Sequence, residues 1–442
     1  MRVNMVRSLL FGAVVSSLLT SGAHAQERRR SLDLTVGGYG ISIGDSRRVN
    51  GLRLNFRDSR LEEVNGINAT IWHPYRGGAG RITGVALGLP STGGTQIRGI
   101  SAAAFGVAAD DYITGIGAAL GGFGAGREAT GIFAGGLGLG VGGLMRGVAV
   151  GGLGVGAGGS IRGVAAGGLG LGVGGDVEGI GIGGLGLGAG GNLRGLSIGG
   201  LGAAAGGDIR GVAIGGLGIG AGSEVRGLVA AGLGVGAGGG GTGALIGGLG
   251  AGVGGSFRGL IVGGLGAGVG GDFRGIGLAG VGMGVGGNFR GISISGIGMG
   301  AGGDVSGIAI GGIGLGAGGT IRYLSIGGIG VGAPRLEGVS IGGIAIAAEA
   351  MRGFMVAGAW LRARELRDRD DPSVRPEVRL TGVGVSAFNQ VRGHQRGLTI
   401  GILNYAWSLS GVQLGVLNIV KNNPPGRRWL PIVNWGSGEG RQ

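Results

Sequence analysis

Apolar residues and glycines recur along this chain with a period of 16 residues. A glycine that follows Arg, Thr, Glu or Ser marks the step at Gly99, Gly115, Gly131, Gly147 and onward to Gly307, each 16 residues after the last. Tyr323 takes the glycine's place one step later. Looser copies continue at both ends, at Gly51, Gly66 and Gly84 and then at Gly338, Gly353, Gly382, Gly397 and Gly411. One unit, Arg146 to Ile161, reads RGVAVGGLGVGAGGSI, and its residues are numbered here as places 1 to 16. Places 3 and 5 are aliphatic, and places 8, 10 and 12 are again apolar. Alternation with period two is strand spacing. A helix is disfavoured because each glycine inside one costs about 1 kcal/mol.

The glycine pairs at places 6–7 and 13–14 read as corners, with the alternation slipping there from odd places to even ones. The pattern predicts coils of two short strands and two corners, each stacked parallel on the next about 4.8 Å away. The expected fold is therefore all-β, a parallel β-solenoid of 16-residue coils, some 23 of them, capped at both ends. Places 3, 5, 8, 10 and 12 are expected to face the core. The glycines at places 9 and 11 are expected to point outward, leaving a bare face for self-association, for a membrane or polymer surface, or for the chain's other sheet. An antiparallel β-meander or barrel is the alternative. It would set successive arginines twice as far apart, but it meets strands that are too short, no aromatic girdles and no polar lumen face.

The pattern divides the chain. Residues 1–25 carry Arg2 and Arg7, an apolar stretch from Leu9 to Leu19 and then Ala23-His24-Ala25, the order of a secretory signal peptide cleaved before Gln26. Residues 26–48 read as an N-terminal cap strand and 49–350 as the glycine-rich array. Residues 351–395 are divergent repeats with a charged loop at 361–378. Residues 396–442 form C-terminal repeats and an aromatic cap holding Tyr405, Trp407, Trp429 and Trp435. The location this implies is exported: periplasm, outer membrane or cell surface.

Composition narrows the chemistry. With 126 glycines in 442 residues but only 8 prolines and no triplet period, collagen is excluded. An apolar share of 43% argues against simple disorder, and the absence of cysteine removes disulfide frameworks and thiolate zinc sites. The formal charge is +14, and Lys421 is the only lysine. Guanidinium therefore carries nearly all the positive charge, and it grips phosphate or carboxylate with paired hydrogen bonds.

Place 1 supplies the anion-contact candidates Arg146, Arg162, Arg194, Arg210, Arg226, Arg258, Arg274, Arg290 and Arg322. Glu178, Thr242 and Ser306 interrupt that row. Place 15 carries Ser160, Asp176, Asn192, Asp208, Glu224, Ser256, Asp272, Asn288, Asp304 and Thr320. In a parallel stack these become two adjacent outward ladders, one cationic and one acidic or polar. An anionic polysaccharide, lipopolysaccharide or lipid surface is the partner class they fit, with nucleic acid set aside for an exported chain.

Catalytic signatures are missing from the sequence. After cleavage only His73 and His394 remain, and there is no GxSxG elbow or HExxH. Asp368, Asp370 and Asp371 are interleaved with arginines as a salt-bridge cluster. Place 15 varies too much for regular calcium turns, and GxGxxG matches are expected by chance in so much glycine. No metal or cofactor is expected, and an enzyme acting on polysaccharide from the solenoid surface is the least supported reading. Asn68-Ala69-Thr70 fits a glycosylation sequon and is read as incidental.

The segment GLTIGILNYAWSLSGVQLGVLNIVKNNPPGRRWLPIVNW, residues 397–435, resembles the C-terminal stretch of exported bacterial surface-repeat proteins, which repeat a glycine, alternating apolar residues and Leu-Asn. VNGLRLNF and VNGINATIW near residue 50 share the flavour. The resemblance implies export and repeat architecture, and no activity. The glycine-rich centre is read as replacing the Asn-bearing places with glycine.

Overall fold

The computed structural model describes residues 31–37, 39–72, 80–364 and 378–437. The expected signal peptide, His73 and the Asp368, Asp370 and Asp371 cluster lie outside the described residues. The chain folds as a parallel β-solenoid of about 21 turns with 16-residue coils. It falls into two compact units, Met1–Gly126 and Arg127–Gln442.

From residue 128 to residue 363 each coil has one longer and one shorter strand, for example Ile161–Gly167 and Gly170–Val173. Both strands pair in parallel with the same places one coil on, Ile161 with Val177 and Leu171 with Leu187. The antiparallel alternative does not describe these coils. The glycine that sets the period has a physical reason. Gly259 adopts φ +133°, and a Cβ there would overlap the carbonyl oxygen of Gly243 in the coil below. Glycine supplies both the dihedral and the close approach.

The expected core needs correction. Places 16, 4 and 6 of the longer strand face inward, as Ile161, Ala165 and Gly167 do, and places 10 and 12 face inward from the shorter one. Places 3 and 5 point outward, and the leucine at place 8 stands on the outer corner, with Val150 47% and Leu153 52% exposed. The apolar pattern slips from odd to even places, but the inward-facing places are even on both strands. Period two fixes which residues share a face but does not say which face is inside. Place 4 runs from Gly181, Ala149 and Ser197 to Val229, Leu245 and Ile261, all buried, while place 12 is Ala or Val and places 16 and 10 carry further aliphatic side chains. The glycines at places 9 and 11 do face outward, as the sequence predicts.

In the first unit, Ser31–Val36 pairs antiparallel with Tyr39–Gly44, which in turn pairs parallel with Arg48–Arg57. Beneath this front strand lies a buried ionic knot. Arg53, fully buried, donates to Asp45 at 3.0 Å, to Asn68 at 2.8 Å and to the Ser46 carbonyl at 3.1 Å, and it also pairs with Asp58. Burial pushes the Asp45 carboxyl up, but the hydroxyl and amide of Ser59, the Arg60 amide and the Arg53 charge outweigh it and hold the group below its ordinary value. Asn68 of the sequon is itself buried in this knot.

At the other end, Trp429–Ser437 closes the stack by pairing antiparallel with the last part of Phe388–Val420. The Asn residues of the Leu-Asn motif are buried here. Asn389 donates to Asn404 at 2.8 Å, and Asn404 donates to Asn418 at 2.7 Å. Asn389 pairs with Leu361, a place-10 residue, so asparagine replaces the apolar place 10 and not a glycine. The charged loop also starts later than expected, because Leu361 and Ala363 are buried within the strand Trp360–Ala363.

Candidate anion-binding groove

Stacking turns the sequence period into rows. Arg258 lies in register with Arg274, and Arg274 with Arg290, so the expected arginine ladder exists as a geometric object. Neighbouring members stand one strand spacing apart, about 4.8 Å. Place 15 does more than provide a solvated edge. Its side chain accepts from the backbone N–H of place 15 in the following coil: Asn192 to Asp176 at 2.7 Å, Asp208 to Asn192 at 2.8 Å, and Asn288 to Asp272 at 2.7 Å. Asp, Asn and Ser all present an oxygen at that reach, which explains why they interchange there. The Glu224 amide, and then the Arg210 side chain, hold the Asp208 carboxyl below its usual value.

These acids and their neighbours neutralise most of the arginine row. Arg146 pairs with Glu128 at 3.2 Å, Arg162 with Glu178 at 3.0 Å and Arg194 with the same Glu178 at 2.9 Å. Arg210 pairs with Asp208 and Arg226 with Glu224, both at 2.7 Å, and Arg322 reaches Asp304 at 3.1 Å. Among the described residues Arg258, Arg274 and Arg290 have no acidic partner. The row thus divides into paired flanks and an unpaired centre.

The unpaired centre lies in a groove of about 670 Å³ lined by these three arginines, by Ser256, Asp272 and Asn288, and at one end by the Asp304–Arg322 pair. Beneath it place 16 changes from aliphatic to aromatic. Phe257, Phe273 and Phe289 are buried and stacked, with ring centroids 6.2 Å and 5.5 Å apart. A stack of flat rings holds three successive coils in one register and so fixes the spacing of the guanidinium groups above. The sequence carries the signal as three consecutive Phe-Arg-Gly units. They pass unnoticed when the core is sought at places 3, 5, 8, 10 and 12.

Chemically, three unpaired guanidinium groups in a row supply paired hydrogen bonds and positive charge to carboxylate, sulfate or phosphate oxygens repeating at a similar spacing. Among the described residues no group of His, Asp and Glu is arranged to hold a metal ion. His394 is engaged with Ser408 at 2.8 Å and Ser410 at 3.1 Å in the C-terminal coils, far along the chain from the groove. No family model, curated protein or solved structure matches the chain.

Proposed function

We propose that the protein is an exported, non-enzymatic structural and interaction protein of the bacterial cell envelope or surface, and that it holds anionic groups along its arginine groove. The observation that carries this reading is the in-register set Arg258, Arg274 and Arg290, which has no acidic partner among the described residues. Burying no charge and ordered by the stacked rings below, the three cations are free to engage an external anion. Export rests on the charged, apolar and small-residue order of residues 1–25.

The test is retention on an acidic polysaccharide column. The triple variant R258A/R274A/R290A should elute at markedly lower salt than the natural chain. A control triple at the paired positions, R162A/R194A/R210A, should change elution little. Equal effects from the two triples would show that net charge alone governs binding, and unchanged elution of the first would remove the groove from the reading.

A further inference from the structure

Places 1, 3 and 5 have the same parity and lie on the same outer face of the longer strand. Along the coils that carry Arg258, Arg274 and Arg290, that face bears Leu260 and Val262, then Ile276 and Leu278, then Ile292 and Ile294. Leu265, Val281 and Ile297 stand on its far corner. Ile276 is 44% exposed, Ile294 47% and Leu265 55%, although each has the shape of a core residue. Across the second unit these rows run from coil to coil as one aliphatic face, and contiguous apolar faces of this kind mark interaction surfaces. One border of this surface is the unpaired arginine row, about 13 Å from place 5.

The geometry points to a lipid-docking face: the outer surface of the longer strands lies flat on an anionic phospholipid bilayer, its aliphatic rows in the acyl boundary and its arginine row among the phosphates. This rests on the anion-groove reading for its charged half and goes beyond it for the aliphatic half. Charge complementarity selects the occupant. A soluble polyanion satisfies the arginines and leaves the aliphatic rows in water. A second copy laid over the whole face, with its two-fold axis along or across the strand stack, sets arginines against the partner's arginines or against its aliphatic rows. A bilayer accepts both rows at once, and interfacial binding grows with buried apolar area and with attraction to anionic headgroups together.

The experiment is flotation of the full chain with vesicles of phosphatidylcholine alone or mixed with phosphatidylglycerol, run beside binding to soluble dextran sulfate. The natural chain should float with the mixed vesicles. The variant I276T/I292T/I294T keeps strand-forming residues on the exposed face, and circular dichroism checks that it folds. It should lose at least tenfold in vesicle affinity and keep its dextran sulfate binding. R258A/R274A/R290A should lose about a hundredfold on mixed vesicles, at roughly a fivefold contribution per arginine near an anionic surface, and should lose dextran sulfate as well. Vesicle binding untouched by the threonine substitutions overturns the inference. So does a natural chain that binds dextran sulfate but no vesicles, an outcome that leaves the groove reading standing. A chain that floats through its aliphatic rows but ignores dextran sulfate supports the inference and removes the soluble-polymer reading. A threonine-sensitive dimer in sedimentation without vesicle binding assigns the face to a second copy and overturns the inference.

Discussion

Two glycines nine residues apart should respond in opposite ways to the same added methyl group. Gly259, at place 2, sits at φ +133°, and its Cβ would overlap the Gly243 carbonyl oxygen. Gly268, at place 11, has nothing within 4 Å of where its Cβ would stand, and its dihedral is ordinary. Gly259→Ala should cost about 1–2 kcal/mol for the left-handed backbone, and more for pushing adjacent coils apart, roughly 3 kcal/mol in total. Gly268→Ala should stabilise by about 0.5–1 kcal/mol, because alanine loses less backbone freedom on folding. A long repeat array opens locally and not as one unit, so hydrogen exchange of the coils between residues 250 and 290 is a better readout than a single melting point. Amide exchange there should rise about a hundredfold for Gly259→Ala and fall severalfold for Gly268→Ala. If Gly268→Ala opens the coils as much as Gly259→Ala does, the division between fold-required and fold-free glycines is wrong.

Tyr323 occupies the glycine place with φ +82° and is 69% exposed, so Tyr323→Gly should stabilise its coil by about 1 kcal/mol, read by the same exchange experiment. Arg53→Ala leaves Asp58 buried without its guanidinium partner and Asp45 with Arg60 alone at 3.5 Å, and should cost about 3–5 kcal/mol, visible as rapid proteolysis of the first coils. Because the folded Asp45 value is depressed, its contribution is present above the unfolded value near pH 4 and is lost as pH falls through the folded one, so protection of the amides in residues 39–72, taken relative to their intrinsic exchange rate at each pH, should fall with acid below about pH 4. Asn404→Ala removes the middle of the buried asparagine ladder, leaving the Asn418 side-chain oxygen without its Asn404 donor and Asn389 with its backbone acceptors at Ile400 and Ser386 only. It should destabilise the C-terminal coils by about 2–3 kcal/mol, measured by urea titration of Trp435 fluorescence.

The period, the parallel stacking and the arginine row were legible in the sequence because each follows from a fixed 16-residue spacing. Inside and outside were not. Val150 and Ile294 have the chemistry of core residues, yet they lie on the strand face opposite place 4, which buries Ala149 and Ser293 as readily as Leu245 and Ile261. The selection of Arg258, Arg274 and Arg290 from nine equivalent arginines was likewise invisible, since it depends on which acids lie within reach after stacking. Glu178, seen in sequence as an interruption of the row, is the residue that neutralises Arg162 and Arg194. The Leu-Asn motif does not say which way its Asn residues point, and stacking buries them in a ladder from Asn389 to Asn404 to Asn418.

The most direct test of the stack exploits the absence of native cysteine. Spin labels at Arg226→Cys and Arg322→Cys sit at the same place six coils apart, so double electron–electron resonance should give a narrow distance distribution centred near 29 Å, six strand spacings. A broad distribution, or a mean displaced by more than the reach of the labels, would contradict a solenoid in which each 16-residue coil lands on the one before.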